Sequence, residues 1–178
     1  NSAAEQAEKI QALAIVDSLL NVNKADDELL FLQASLLSAK GDQERAMTIL
    51  NAIISRTPTS YKAYELLASL YKKQNKPDQA IRAYRKMIAL APSNDLEINQ
   101  FIALLYLSNN KLDDALTILQ NLSGKYPWNE EIHENLFTIY QRKQDLRAAR
   151  KEIQLLHEYD SENYRYYLME ADLAELEG

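Results

Sequence analysis

The sequence predicts an all-α solenoid of stacked antiparallel helical hairpins, and three observations carry that expectation. Several residue types recur in phase every 34 to 35 residues. The composition favours helix along the whole chain. Within each period, apolar residues fall at helical spacing in two short runs separated by turn residues.

The repeat comes first because it fixes the architecture. Pro58 and Pro92 stand 34 residues apart, and Pro127 follows 35 later. Twelve residues before each proline is an alanine: Ala46, Ala80 and Ala115. Ala149 and Ala12 extend that row at the same interval of 34. A second row runs Ala34, Ala68, Ala103 and resumes at Ala171, and its phase continues to Leu37, Tyr71, Tyr106 and Tyr140. One coincidence would mean little, but several rows in register mark a repeated structural unit.

Composition supports helices as that unit. Gly (3) and Pro (4) are scarce, so few residues interrupt the backbone, while Ala, Leu, Gln, Glu and Lys lose little side-chain freedom in a helix. In residues 61–75, Tyr64, Leu67, Ala68 and Tyr71 share one helical face. In residues 77–91, Ala80, Ile81, Tyr84, Met87 and Ile88 do the same. Between these runs Asn75-Lys76-Pro77-Asp78 predicts a tight turn, with Pro in a helix's first turn. Gly41-Asp42 and Asn110-Lys111 occupy the same place in neighbouring periods. The Thr-Pro and Ala-Pro steps at 57–58 and 91–92 stop the second helix, because a residue before Pro resists the helical conformation. Small alanines let two helices approach, large neighbours fill the space around them, and a lone hairpin cannot cover its own apolar face.

These residues resemble the tetratricopeptide repeat family. Tyr64, Leu67, Ala68, Tyr71, Ala80, Tyr84 and Pro92 match its aromatic–Leu–small–Tyr–Ala–aromatic–Pro pattern. The resemblance covers the whole chain and implies a right-handed superhelical solenoid. It divides the chain into one array: a half repeat at 1–26, full repeats at 27–60, 61–94, 96–129 and 130–163, and a half repeat at 164–178. Asp95 reads as an extra linker residue, and Gly178 falls where the family often has its turn glycine. Gln33 and Glu170 stand where Leu is usual, Phe137 replaces a small residue, and Ser161 replaces the closing Pro. The departures in the fourth repeat are expected to loosen its packing without altering the fold. The start, Asn1-Ser2-Ala3-Ala4, is neither a signal peptide nor an initiator Met, and the half repeats suggest a segment of a longer array.

Chemistry narrows the function classes. A net charge of −6 and a pI near 5.0 repel phosphate, so no nucleic-acid partner is expected. The absence of Cys excludes disulfides, thiolate catalysis and zinc–thiolate sites, and fits the bacterial periplasm better than the cytosol. No apolar run reaches the ~20 residues needed to span a bilayer. No Gly-rich phosphate loop is present, and no cofactor, metal or catalytic group is expected. His133 sits beside Ile132 and Leu136 at a core position and reads as a packed structural histidine. Acidic pairs such as Glu130-Glu131 complement the positive ends of helices. Trp128 reads either as packing between repeats or as an exposed aromatic anchor. Residues 61–94 hold seven cations against Glu65 and Asp78, which is either a solvated face or a patch for an acidic partner.

The family resemblance places the working surface on the first helices, which line an inner groove that takes an extended peptide or a helix. The positions that match are Phe31, Leu32 and Ser35; Lys62, Leu66, Ser69, Lys72 and Lys73; Gln100, Phe101, Leu104 and Leu107; and Glu134 and Thr138. Phe31, Leu32, Leu66, Phe101, Leu104 and Leu107 are apolar, so the expected partner is an apolar or amphipathic protein segment, unless these residues pack on neighbouring hairpins. Co-chaperones of this family grip acidic C-terminal tails through a Lys and Asn pair on one inner helix. Phe31 and Ser35, or Glu65 and Ser69 one repeat on, stand there instead, so that activity is not expected. The resemblance implies an interaction scaffold, placed in a bacterial envelope or assembly protein, with a chaperone for a secreted substrate as the alternative. End-to-end self-association is expected from apolar edges at the half repeats.

Overall fold

The computed structural model describes residues 2–177, with side chains described for 4–176, so Asn1 and the expected turn at Gly178 lie outside the described residues. Two compact units divide between Ser93 and Asn94. The first contains α1 (Ser2–Val22), α2 (Asp27–Lys40), α3 (Gln43–Arg56), α4 (Tyr61–Lys73) and α5 (Pro77–Leu90). The second contains α6 (Asp95–Ser108), α7 (Leu112–Lys125), α8 (Glu130–Arg142), α9 (Leu146–Tyr159) and α10 (Tyr164–Glu177). No strand occurs among the described residues. Asp95, expected as a linker, is instead the first residue of α6 and follows the 3-10 turn Pro92–Asn94. The extra residue lengthens a helix because the loop from each Pro to the next helix start keeps the same length.

Each hairpin turn uses one local solution. Gly41, Asn75, Asn110 and Gln144 have φ of 98°, 54°, 59° and 59°, the left-handed region that ends a helix. The residue after each donates its N–H back to the helix: Asp42 to Leu37 O at 2.9 Å, Lys76 to Tyr71 O at 2.8 Å, Lys111 to Tyr106 O at 2.9 Å and Asp145 to Tyr140 O at 2.9 Å. Asp42 and Asp145 then cap α3 and α9 by accepting from Arg45 N–H and Ala148 N–H. A side chain in this conformation costs ~1–2 kcal/mol, which glycine avoids. Gly41→Ala should therefore lower stability by ~1 kcal/mol through strain alone, since open space surrounds the added carbon. Gln144→Gly should raise stability by a similar ~1 kcal/mol. Urea denaturation of both variants checks the sign and size.

The alanine rows form the seams. Ala34, Ala46, Ala68, Ala80, Ala115 and Ala149 are fully enclosed, and Ala103 nearly so. In the first unit Leu13, Leu37, Leu50, Ile53, Leu67 and Leu70 pack around Ala34, Ala46 and Ala63. In the second, Leu119, Leu122, Ile132, Leu136 and Ile139 pack around Ala103 and Ala115. Each fully buried Leu or Ile contributes ~1.5–3 kcal/mol. The fourth hairpin is not loosened at Phe137, which is buried beside Ala149, Ile153, Leu156, Tyr166 and Leu173. The other departures also find uses: Gln33 donates to Asp17 Oδ1 at 2.6 Å, and Glu170 lies 3.4 Å from His157.

Ala171 corrects the row it was assigned to. It is exposed, while Tyr166 and Leu173 of the same helix are fully buried. The face bearing Tyr166 and Leu173 packs on the preceding hairpin. Among the described residues, no later helix follows to cover the face bearing Ala171.

Polar clamps close the open end of two hairpins. Asp27, at the start of α2, meets Arg56 at the end of α3 and accepts from Thr57 Oγ1 at 2.6 Å. Asp95, at the start of α6, meets Lys125 at 3.1 Å and accepts from Tyr126 Oη at 3.0 Å. A carboxylate at a helix start and a cation at a helix end both complement the helix dipoles. The hydrogen bond from Lys125 is the main reason the Asp95 carboxyl is held below the usual carboxylate range.

Candidate partner-binding faces

The expected groove residues lie on the first helices α2, α4, α6 and α8, two in each unit. In the first unit α2 contacts α4 directly, so their outer stripes form one face. Leu32 is exposed at 46%, while Phe31 and Leu66 are half-buried against the core. Ser35 turns its hydroxyl back to Phe31 O at 2.9 Å, and Ser69 is half-buried. Lys62, Lys72 and Lys73 are exposed. The face therefore presents one projecting leucine, two partly covered apolar residues and a cationic margin.

In the second unit Phe101 and Leu104 are 40% and 39% exposed on α6. Leu107 is a correction: it is buried with Ala103, Leu119 and Leu136, so it belongs to the core. Residues 101–107 are apolar without a break, and such a run does not reveal which side chains face inward. Gln100 donates to Glu131 Oε2 at 2.9 Å, tying α6 to α8. Glu134 meets Arg165 at 3.2 Å, tying α8 to α10. Thr138 is exposed and donates to Glu134 O at 2.9 Å. The polar half of this face is thus internally paired, and Phe101 and Leu104 in its apolar half are partly exposed.

His133 and Trp128 form a separate cluster. His133 is buried, with Nδ1 2.7 Å from Glu152 Oε2 and Nε2 3.0 Å from Pro127 O. Glu152 comes from α9, 19 residues away, so no local spacing announced it. Trp128 is 70% exposed and meets Tyr159 edge-on with centroids 5.8 Å apart. One edge packs and the rest of the indole faces solvent. Burial, with Glu130 nearby, raises the Tyr159 hydroxyl above its usual value. Tyr166, enclosed beneath α8 and donating to Glu130, is raised further for the same reasons.

Comparison with known proteins agrees with the hairpin geometry. A family model described as tetratricopeptide repeat matches residues 71–127. The chain has the tetratricopeptide repeat fold. A second model, described as ChAPs (Chs5p-Arf1p-binding proteins), matches residues 3–88 of this repeat protein. Among solved structures, a tetratricopeptide repeat protein from Parabacteroides merdae superposes with TM-score 0.72 at 15% identity, covering 98% of this chain and 69% of that one. MamA from Desulfovibrio magneticus RS-1 gives 0.67 at 20% identity, covering 91% of each chain. YrrB, described as a tetratricopeptide repeat protein with an unusual peptide-binding site, gives 0.68 at 15% identity, covering 96% and 88%. A human protein, O-mannosyl-transferase TMTC1, is 28% identical over 115 residues, which is 65% of this chain and 12% of that protein. The repeat protein thus spans about an eighth of that relative's length.

Proposed function

We propose that this repeat protein is a non-catalytic scaffold that binds apolar or amphipathic protein segments on its first-helix faces. The observation that carries the proposal is the partial exposure of Leu32, Phe101 and Leu104 on those helices. Exposed large apolar residues grouped on a helix face favour a partner that covers them. YrrB, which shares the fold, is itself described as peptide-binding. The match to the mannosyl-transferase covers too little of that enzyme to bring its chemistry here. Placement in a bacterial envelope assembly rests on the family resemblance, and likeness to the Parabacteroides and Desulfovibrio proteins supports a bacterial setting.

The test is capture of protein segments from the native source by the immobilised chain. Leu32→Ser, Phe101→Ser and Leu104→Ser together should reduce capture at least tenfold without lowering thermal stability. Undiminished capture by the triple variant would remove the first-helix faces from the account.

A further inference from the structure

Of the seven cations in residues 61–94, Lys62, Lys72 and Lys73 border the first-helix face, and Lys76, Arg82, Arg85 and Lys86 lie outside it. The stretch carries a net +5, while the rest of the chain carries −11. On α4, Lys62, Leu66, Ser69 and Lys73 share one side at 100° per residue, which places Tyr64, Leu67 and Tyr71 on the opposite side. There they meet α5 and line an open cavity of about 730 Å³ whose rim is formed by Arg82, Arg85 and Lys86. Tyr64 and Tyr71 are only half-buried, so part of each ring faces the cavity. The volume lies within the ~300–1,000 Å³ typical of binding clefts, enough for one or two large side chains.

The rim has a sign and lacks an internal counterpart. Arg85 and Lys86 are exposed and meet no carboxylate of the described residues, and Arg82 donates Nε–H to Asp78 O at 3.3 Å. Arg56, Lys125, Lys143 and Arg165, by contrast, each meet a carboxylate. Arg82, Arg85 and Lys86 stand three and four residues apart, on neighbouring turns of one helix face. An apolar and aromatic floor beneath exposed cations is complementary to an acidic segment with an apolar anchor.

We propose that the α4–α5 cavity is a second docking site, on the side of α4 away from the first-helix face, for an acidic segment of a partner protein. An aromatic or branched side chain of that segment fills the space over Leu67, between Tyr64 and Tyr71. Its carboxylates meet Arg82, Arg85 and Lys86.

The experiment uses the full chain and a dye-labelled peptide of glutamates with one central phenylalanine and one leucine a helical turn away, read by fluorescence anisotropy. Binding should weaken at least tenfold in Arg82→Glu/Lys86→Glu, whose changed residues are exposed. The reversed variant should in turn bind a peptide in which lysines replace the glutamates. Lys62→Glu/Lys73→Glu, on the opposite side of α4, should leave the first peptide's affinity unchanged, which separates this site from the first-helix proposal. No effect of the α5 reversal, or an equal effect of the opposite-side reversal, overturns the assignment. Equal affinity for polyglutamate or heparin also overturns it, because the rim would then be a general polyanion surface.

Discussion

Changing the size of a seam residue should destabilise this protein in both directions. Ala115 is fully enclosed between α7 and its neighbours, with Leu119, Leu122, Leu136 and Ile139 in the same cluster. Ala115→Leu inserts three carbons where none fits, and overpacking of this kind costs ~1–3 kcal/mol. Leu119→Ala empties the next position along the same face of α7, and large-to-small core changes cost ~2–5 kcal/mol. In a repeat array each hairpin leans on its neighbours, so the loss should spread beyond α7. Urea denaturation gives the totals, and hydrogen exchange should quicken in α6, α7 and α8. Wild-type stability in both variants would show that the alanine rows do not set helix approach.

His133→Leu should cost several kcal/mol although leucine fits the volume and polarity of a core. The imidazole lies between Glu152 Oε2 and the Pro127 carbonyl and is within hydrogen-bond distance of each. The Glu152 side chain is largely covered, and a covered carboxylate that loses its partner costs ~1–3 kcal/mol or more. Replacing both partners removes the stranded charge, so His133→Leu/Glu152→Leu should recover most of the loss. Chemical denaturation of the two single variants and the double variant measures this coupling. A double variant as unstable as the sum of the singles would show that the pair acts independently.

The exposed apolar residues show where reading the chain stops. Leu104 and Leu107 are three residues apart in one apolar run, yet one is open and the other sealed. Phe31 and Leu32 are adjacent, and the first is half-covered by the core of its unit. In both cases the neighbouring hairpin decides, and its position is not encoded in the local pattern. Likewise, the clamps join residues about 30 positions apart, and His133 finds Glu152 only because α8 lies against α9. The cationic stretch was legible as charge, but its pairing with the Tyr64–Tyr71 floor was not, since those tyrosines read as core.

The sequence by itself determined the hairpins, because alanine spacing, helix formers and left-handed turn residues act locally and repeat in phase. It also determined what chemistry the chain lacks in thiols and glycine loops. Only the tertiary structure decided which apolar side chains reach solvent, which cations go without a carboxylate and which groups His133 meets. Those outcomes depend on surface removed by residues distant in the chain, and burial is a property of the packed neighbours.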